Sequence, residues 1–355
     1  MPAVPEVHRE VSPDRLLSDL SELWTSTGKE ESPDGGVLRA CAMTLIVFAD
    51  EEDDHQAISE TIFELMRSHP SRAIVVKILE APGTLESRVF AQCWKPQGQA
   101  LQICCEQVEL TVSLNRLDDL PSIVGPIAAP DLPRVVWFRS RRVSGAPDLS
   151  SLIGLGDKIV VDSARPGAPA FADLRTLIAA GCIVGDLSWT RLTRLRELLA
   201  KLIGTRDPAS IKAIELAYRG SGPDPSVKYL QAWLRVAFPG AHVDMHQSAA
   251  DGSAELAGIR VAPDLNIGLD KGCAEYEVSS RRQHANIAAG PDHRLLAEEL
   301  MRSRPLASGR LTSRTMTSGT SSRLSARPTS AELASTASIS DRRAKIRRQP
   351  SRTIG

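Results

Sequence analysis

Apolar residues recur along this chain in two rhythms. Short, nearly unbroken apolar runs stand at residues 38–49, centred on Leu45-Ile46-Val47-Phe48, and at 73–79, 101–110, 134–138, 158–163 and 182–184. Between them the apolar positions fall three and four apart. Leu16, Leu17, Leu20, Leu23 and Trp24 form one such stripe; Ile58, Ile62, Leu65 and Met66 form another. Others are Leu117, Leu120, Ile123, Val124 and Ile127, and Trp189, Leu192, Leu195, Leu199 and Leu202, with weaker helical spacing at 149–155 and 171–180. The first rhythm predicts buried strands and the second amphipathic helices. Their alternation predicts a parallel sheet covered by helices on both faces.

Local signals set the boundaries. Ser12-Pro13 supplies a cap and a first-turn proline for the first helix. Asp50-Glu51-Glu52-Asp53-Asp54 directly precedes the helix that starts at His55. Carboxylates there complement the helix dipole, so we read the run as a cap and not as a metal site. Pro70 pushes His69 out of helical geometry and ends that helix. Residues 83–98 read as a loop around an edge strand at 88–94, and Pro121 sets a break or a late start in the helix of 114–128.

After Gly204 the rhythm changes, with Arg206-Asp207-Pro208 as a boundary. A strand is expected at 211–218, then a helix with Val227, Leu230, Trp233, Leu234 and Ala237 inward. Three or four strands follow at 242–246, 254–261, 265–269 and 274–280, then a helix at 291–302. The expected fold is α/β: a mostly parallel N-terminal sheet covered by helices, with a smaller α+β C-terminal domain built on antiparallel strands. The segments are an N-terminal amphipathic helix and loop (1–36), the α/β domain (37–205), the α+β domain (206–305) and a tail (306–355). Arg310, Arg314, Arg323, Arg327, Arg342, Arg343, Lys345, Arg347, Arg348 and Arg352 in the tail face only Glu332 and Asp341. Few large apolar residues remain there to offset the ordering entropy, so a disordered basic tail is expected.

Composition adds exclusions. Lys+Arg and Asp+Glu both number 43, so no global field draws nucleic acid or a membrane; only the tail could touch nucleic acid. Aromatics are 4% of residues, which leaves core building to aliphatic side chains. The most apolar stretch, 41–49, is far below the roughly 20 residues a bilayer span needs. The first residues carry neither a basic n-region nor an apolar h-region, so no signal peptide and a cytoplasmic location are expected. Six cysteines stand without a C-x-x-C pair, which argues against zinc and predicts free buried thiols. Cys104 and Cys105 point to opposite faces of a strand, so a vicinal disulfide is not expected.

Catalytic motifs are missing where the fold class would invite them. Gly154-Leu155-Gly156 precedes a strand and has Ile159 where the dinucleotide fingerprint needs glycine. No phosphate-binding G-x-x-x-x-G-K-[ST] loop and no G-x-S-x-G elbow occurs. His242 and His246 lie four apart on a strand, about 13 Å by strand rise, too far for one ion. No cofactor or metal is expected. Asp162-Ser163 falls at the C-terminal end of a strand, where α/β proteins bind ligands. Asp162 reads as a hydrogen-bond acceptor that fixes the loop, and Ser163 has no base assigned by sequence.

Several motifs occur together in order. They are Arg39-Ala40-x-x-x-Thr44-Leu45-Ile46-Val47, His69-Pro70-Ser71-Arg72, Cys104-x-Glu106, Asp131-Leu132-Pro133 before an aromatic strand, and Val161-Asp162-Ser163. The last is Asp186-Leu187-x-Trp189-Thr190-Arg191-Leu192, closing with Arg196-Glu197-Leu198. This series resembles the glucose-6-phosphate dehydrogenase assembly protein family, OpcA, over residues 12–302. Trp137-Phe138 stands where the family has paired tryptophans, and Arg194-Leu195 where it has Pro-Trp. The resemblance implies a non-catalytic assembly factor and allosteric activator whose partner is glucose-6-phosphate dehydrogenase, supporting NADPH supply in the oxidative pentose phosphate pathway. Trp189, Arg191, Arg194 and Arg196, joined by His69 and Arg72, are the candidate partner-binding residues. The alternative is a sugar-phosphate or nucleotide sensor, or an enzyme, using Asp131, Asp162, Ser163 and Asp186 at the C-terminal edge of the sheet.

Overall fold

The computed structural model describes residues 11–29, 36–98, 101–141, 152–204, 206–249, 255–278 and 280–302. The tail expectation, and part of the helix expected at 149–155, fall outside these residues.

The chain enters through α1 (Pro13–Lys29), β1 (Val37–Arg39), β2 (Met43–Asp50), α2 (His55–Met66) and β3 (Ser71–Leu79). It continues through β4 (Leu85–Trp94), β5 (Gln102–Ser113), a 3-10 turn, α3 (Leu120–Ile127), β6 (Arg134–Phe138), β7 (Lys158–Val161), α4 (Phe171–Ala179) and β8 (Ile183–Asp186). These strands form one sheet in the order β1-β5-β3-β2-β6-β7-β8, with β4 added to β5. Every pair is parallel except β4 with β5. All eight residues of β2 are buried, as a central strand covered on both faces requires.

Successive side chains of β2 serve opposite layers. Ile46 and Phe48 join Leu16, Leu20, Leu120, Ile123, Val124 and Leu174 under α1, α3 and α4. Leu45 and Val47 meet Ile58, Ile62, Leu65 and Trp137 under α2. Asp54 caps α2 by accepting from Ala57 N at 3.0 Å, as the acidic run predicts. Pro121 sits in the first turn of α3, the late start expected of it.

Three details differ from expectation. The apolar run 38–49 is two strands, because its hydrogen-bond partner changes midway: β1 pairs with β5, Ala40 N donates to Cys104 O, and Ala42 N donates to Pro70 O before β2 joins β3. Apolar patterning reports burial and is blind to that exchange. The edge strand is longer than 88–94, running ten residues along β5. Its register sets Cys93 opposite Cys104, and the two form a disulfide. The expectation of six free thiols is therefore corrected: the bond is across strands, a pairing that spacing in sequence does not report. Cys41, Cys105, Cys182 and Cys273 are free.

Next come α5 (Leu187–Thr190), α6 (Thr193–Ile203), β9 (Ala213–Arg219), α7 (Pro225–Ala237), β10 (His242–Ala249), β11 (Leu256–Val261), β12 (Leu265–Asp270), β13 (Cys273–Val278), β14 (Arg281–Asn286) and α8 (Asp292–Met301). The second sheet has the order β10-β9-β11-β12-β13-β14, antiparallel except for β9 with β10. Five strands follow α7 where three or four were expected. The extra one, Arg-Arg-Gln-His-Ala-Asn, is a charged edge strand with no apolar alternation to announce it.

The helices near residue 205 cross between the layers. Leu192, Leu195, Leu199 and Ile203 pack with Leu216 and Ile259 of the second sheet and with Leu230 of α7. Leu295 and Leu296 of α8 return to the first sheet, against Val47 and Leu65. A buried ion pair locks that return: Lys158 Nζ lies 3.0 Å from Glu299 Oε1, and Thr190 Oγ1 donates to Glu299 Oε2 at 2.8 Å.

Candidate functional site

In open α/β sheets ligands bind outside the carboxyl ends of the strands, where the strand order reverses. Here β3 lies on one side of β2 and β6 on the other, so the switch point is at the ends of β2 and β6. Asp50 closes it. Its carboxylate accepts from Ser140 Oγ at 2.5 Å and from Arg141 N at 2.7 Å, tying the two strand ends together. Next to it, Asp53 pairs with Arg165, and Arg139 lies over the Trp137 ring and donates to Asp292.

At the end of β7 and β8 the carboxylates are occupied in the same way. Arg191 grips Asp162 with Nη1 and Nη2, both at 2.6 Å. Asp162 Oδ1 also accepts from Ser188 Oγ and Ala164 N. Burial alone would raise the Asp162 carboxyl, but the hydrogen bonds and charge of Arg191 outweigh it and hold it below the usual carboxylate range. Asp186 accepts from Ser163 N and Ser188 N on one oxygen and from Tyr229 Oη, at 2.8 Å, on the other. Burial, then the Asp186 charge, pushes the Tyr229 phenol well above its ordinary value, so it stays a donor. Asp162 is thus the loop-fixing acceptor that sequence predicts. Ser163 Oγ is buried and bonded to nothing among the described residues, so no base is in place to activate it. Asp131 is a correction: it precedes β6, so it lies at the opposite, N-terminal edge, exposed and with a φ of 59°.

The six candidate partner residues divide by environment. Arg72 is only 7% exposed; it donates from Nε to Glu106 and from Nη1 to Ile127 O, both at 2.5 Å. Glu106 is equally buried and also takes Arg39 and the Trp24 indole N–H, joining α1, β1, β3 and β5 at one carboxylate. His69 is half-buried, 3.0 Å from Ser68 Oγ through Nδ1, and burial lowers its pKa and favours the neutral ring. Trp189 packs against Tyr229, with the Arg196 guanidinium 3.7 Å from the centre of its ring. Burial, then the Arg302 charge, pulls Arg196 down to about 10. Arg191 faces inward to Asp162, and only Arg194 of the six is exposed, donating to Ala288 O at 3.1 Å. One outward basic face built from all of them is therefore not what the chain folds into.

Sequence reading missed Glu106, Lys158 and Glu299, the buried charges that fix this frame. Their signal was a charged residue inside an otherwise apolar strand or on the apolar side of a helix.

Among the described residues no three His, Cys, Asp or Glu side chains cluster to hold a metal ion, and no helix is long and apolar enough to cross a membrane.

Comparison with known proteins places these features in a family. Residues 63–177 match the glucose-6-phosphate dehydrogenase subunit N-terminal domain, and residues 182–307 match the C-terminal domain of the same subunit. A relative from Nostoc punctiforme, named "Putative OxPP cycle protein OpcA", is 24% identical over 179 residues, 48% of this chain and 38% of the relative. A relative of the same name from Synechocystis sp. is 25% identical over 175 residues, 47% of this chain and 37% of the relative. The matched region thus spans under two fifths of the length of these curated relatives. Among solved structures, the biliverdin reductase of Synechocystis sp. superposes with a TM-score of 0.40 at 8% identity, covering 72% of this chain and 88% of that one. With both family domains matched in order and together covering more than half of its length, this chain belongs to the glucose-6-phosphate dehydrogenase assembly protein family, OpcA.

Proposed function

We propose that this protein is a non-catalytic assembly factor that binds glucose-6-phosphate dehydrogenase in the cytoplasm and activates it by favouring its active oligomer. The observation that carries the reading is the closed C-terminal edge of the first sheet. Asp50, Asp162 and Asp186, the acids an enzyme of this fold class would turn toward a substrate, all accept hydrogen bonds from the chain itself. Activation follows if the chain binds the active state of the dehydrogenase more tightly than the inactive one; equal affinity would shift nothing.

The contact surface includes the exposed side of α6, where Arg194, Glu197 and Lys201 stand outward while Leu195 and Leu199 hold the helix to the second sheet. Trp189 and Arg196 form a stacked pair at its start, and His69 lies on the other layer. The test is co-migration of the chain with the dehydrogenase of its own source on size exclusion, paired with the rate of glucose 6-phosphate oxidation. A new, larger species with a raised rate supports the reading; separate elution at all concentrations overturns it.

A further inference from the structure

On the face of the first sheet that α2 covers, the helix reaches β2 and β3 but leaves part of β4 and β5 open. The register places Arg88 opposite Glu109, Glu86 opposite Thr111 and Gln92 opposite Cys105, which fixes these residues to the α2 face, where Cys105 is packed. Between this ledge and the first turns of α2 lies a cleft of about 390 Å³. That size is within the roughly 300–1,000 Å³ of small-molecule sites.

The lining is polar and unevenly satisfied. Lys77, on the last half of β3, is half-buried and has no carboxylate partner among the described residues. The neighbouring cation, Arg88, is by contrast paired with Glu109, which also accepts from Gln107 Nε2 at 3.0 Å. The carboxylate of Glu109 is thus neutralised, and Glu86, the other carboxylate lining the cleft, has an interaction of its own, which leaves the Lys77 ammonium as the lining charge without a partner among the described residues. Thr111 projects into the same cleft with no side-chain hydrogen bond within the described residues. From α2, His55 is tied by Nε2 to Asp50 O at 2.9 Å, Ser59 donates to His55 O, and Gln56 donates to Glu60. Each of these three keeps an acceptor free: the His55 Nδ1, the Ser59 hydroxyl oxygen and the Gln56 carbonyl.

One isolated cation beside a set of mixed donors and acceptors is the chemistry of a polyol carrying one anion. We propose that this cleft binds a phosphorylated sugar, with Lys77 holding the phosphate and Thr111, Gln56, Ser59 and Glu109 taking the hydroxyls. None of these residues belongs to α6 or is one of the carboxylates of the closed edge, which the cleft adjoins through the bond of His55 to Asp50 O. That the sugar phosphate is glucose 6-phosphate rests on the reading of the chain as a partner of the dehydrogenase; it would let the assembly factor sense the substrate of the enzyme it serves.

The experiment is isothermal titration of the full chain, without dehydrogenase, with glucose 6-phosphate, sorbitol and inorganic phosphate. Glucose 6-phosphate should bind saturably and at least tenfold more tightly than either fragment. Lys77→Gln should weaken it at least tenfold, Lys77→Arg less than threefold, and Thr111→Val measurably, with urea midpoints recorded in the absence of ligand to show that each variant folds. No saturable heat with the wild type, or equal affinity in a folded Lys77→Gln, overturns the site. Phosphate binding as tightly as the sugar phosphate overturns the polyol assignment. Because no dehydrogenase is present, failure here leaves the co-migration result untouched, and a chain that binds sugar phosphate but ignores the dehydrogenase separates the two the other way.

Discussion

Arg191 meets Asp162 as a two-pronged pair, each guanidinium nitrogen 2.6 Å from its own carboxylate oxygen. Both residues belong to motifs that suggest exposed function, a basic helix face and an acid at a strand end. The structure joins them: Asp162 is buried, and the half-buried Arg191 turns its fork inward to it.

It follows that Arg191 variants act on the fold. Arg191→Ala leaves the buried Asp162 without its cation and should cost about 2–4 kcal/mol. Arg191→Lys, which cannot reproduce the fork, should fall between wild type and Arg191→Ala. Charge reversal at Arg191 should lower stability first, and any loss of activation would follow from that. Urea denaturation of the three variants checks this; wild-type stability in Arg191→Ala would reject it.

The pair also sets a pH dependence. The folded Asp162 carboxyl titrates below its unfolded value, so its contribution is fully present above the unfolded value and is lost as pH falls through the folded one. The unfolded value is about 3.9. We expect the stability difference between wild type and Arg191→Ala to be constant from pH 7 to 5 and to shrink below pH 4. Denaturant midpoints across that range measure it.

Glu106 should be the most sensitive single carboxylate. Glu106→Gln removes the charge that Arg72 needs in a buried site, and the expected cost is about 3–5 kcal/mol. Trp24→Phe, which loses one hydrogen bond to the same carboxylate, should cost about 1–2 kcal/mol. A thermal melt that ranks these two in the opposite order would contradict the hub.

Thiol chemistry gives a simple count. With Cys93 and Cys104 bonded, alkylation of the purified, unfolded, unreduced chain should modify Cys41, Cys105, Cys182 and Cys273 only. Burial raises the Cys105 thiol to about 12, so in the folded protein it should react far more slowly than the exposed Cys273. Mass spectrometry of the labelled peptides reads both. Six modified cysteines without reductant would refute the bond.

Much of this fold was readable from residue patterns because burial drives it. The eight-residue run around Leu45-Ile46-Val47 is a central strand, and the stripes at Ile58-Ile62-Leu65 and Leu195-Leu199 face cores as their spacing requires. What could not be read depends on partners far away in sequence. The break at Ala40–Ala42 comes from a change of hydrogen-bonding strand, the Cys93–Cys104 bond from register, and the inward turn of Arg72 and Arg191 from Glu106 and Asp162. A basic residue on a helix or strand carries no mark of whether its carboxylate is in the same protein. The polar edge strand Arg281–Asn286 is the same problem in backbone form, since its neighbour supplies the pairing and its side chains supply no pattern.

Arg194 separates surface from frame. It is exposed and its side chain makes a single hydrogen bond among the described residues, to Ala288 O, so Arg194→Glu should change stability by less than about 0.5 kcal/mol. If α6 touches the dehydrogenase, the same variant should raise the concentration of this chain needed for half-maximal activation at least fivefold.

The most direct measurement is the rate of glucose 6-phosphate oxidation by the dehydrogenase of the same source, titrated with this chain, beside a control containing this chain alone. We predict a saturable rise in the first and no turnover in the second. Turnover by the chain alone, or a flat response at every concentration, would contradict its assignment as a non-catalytic activator.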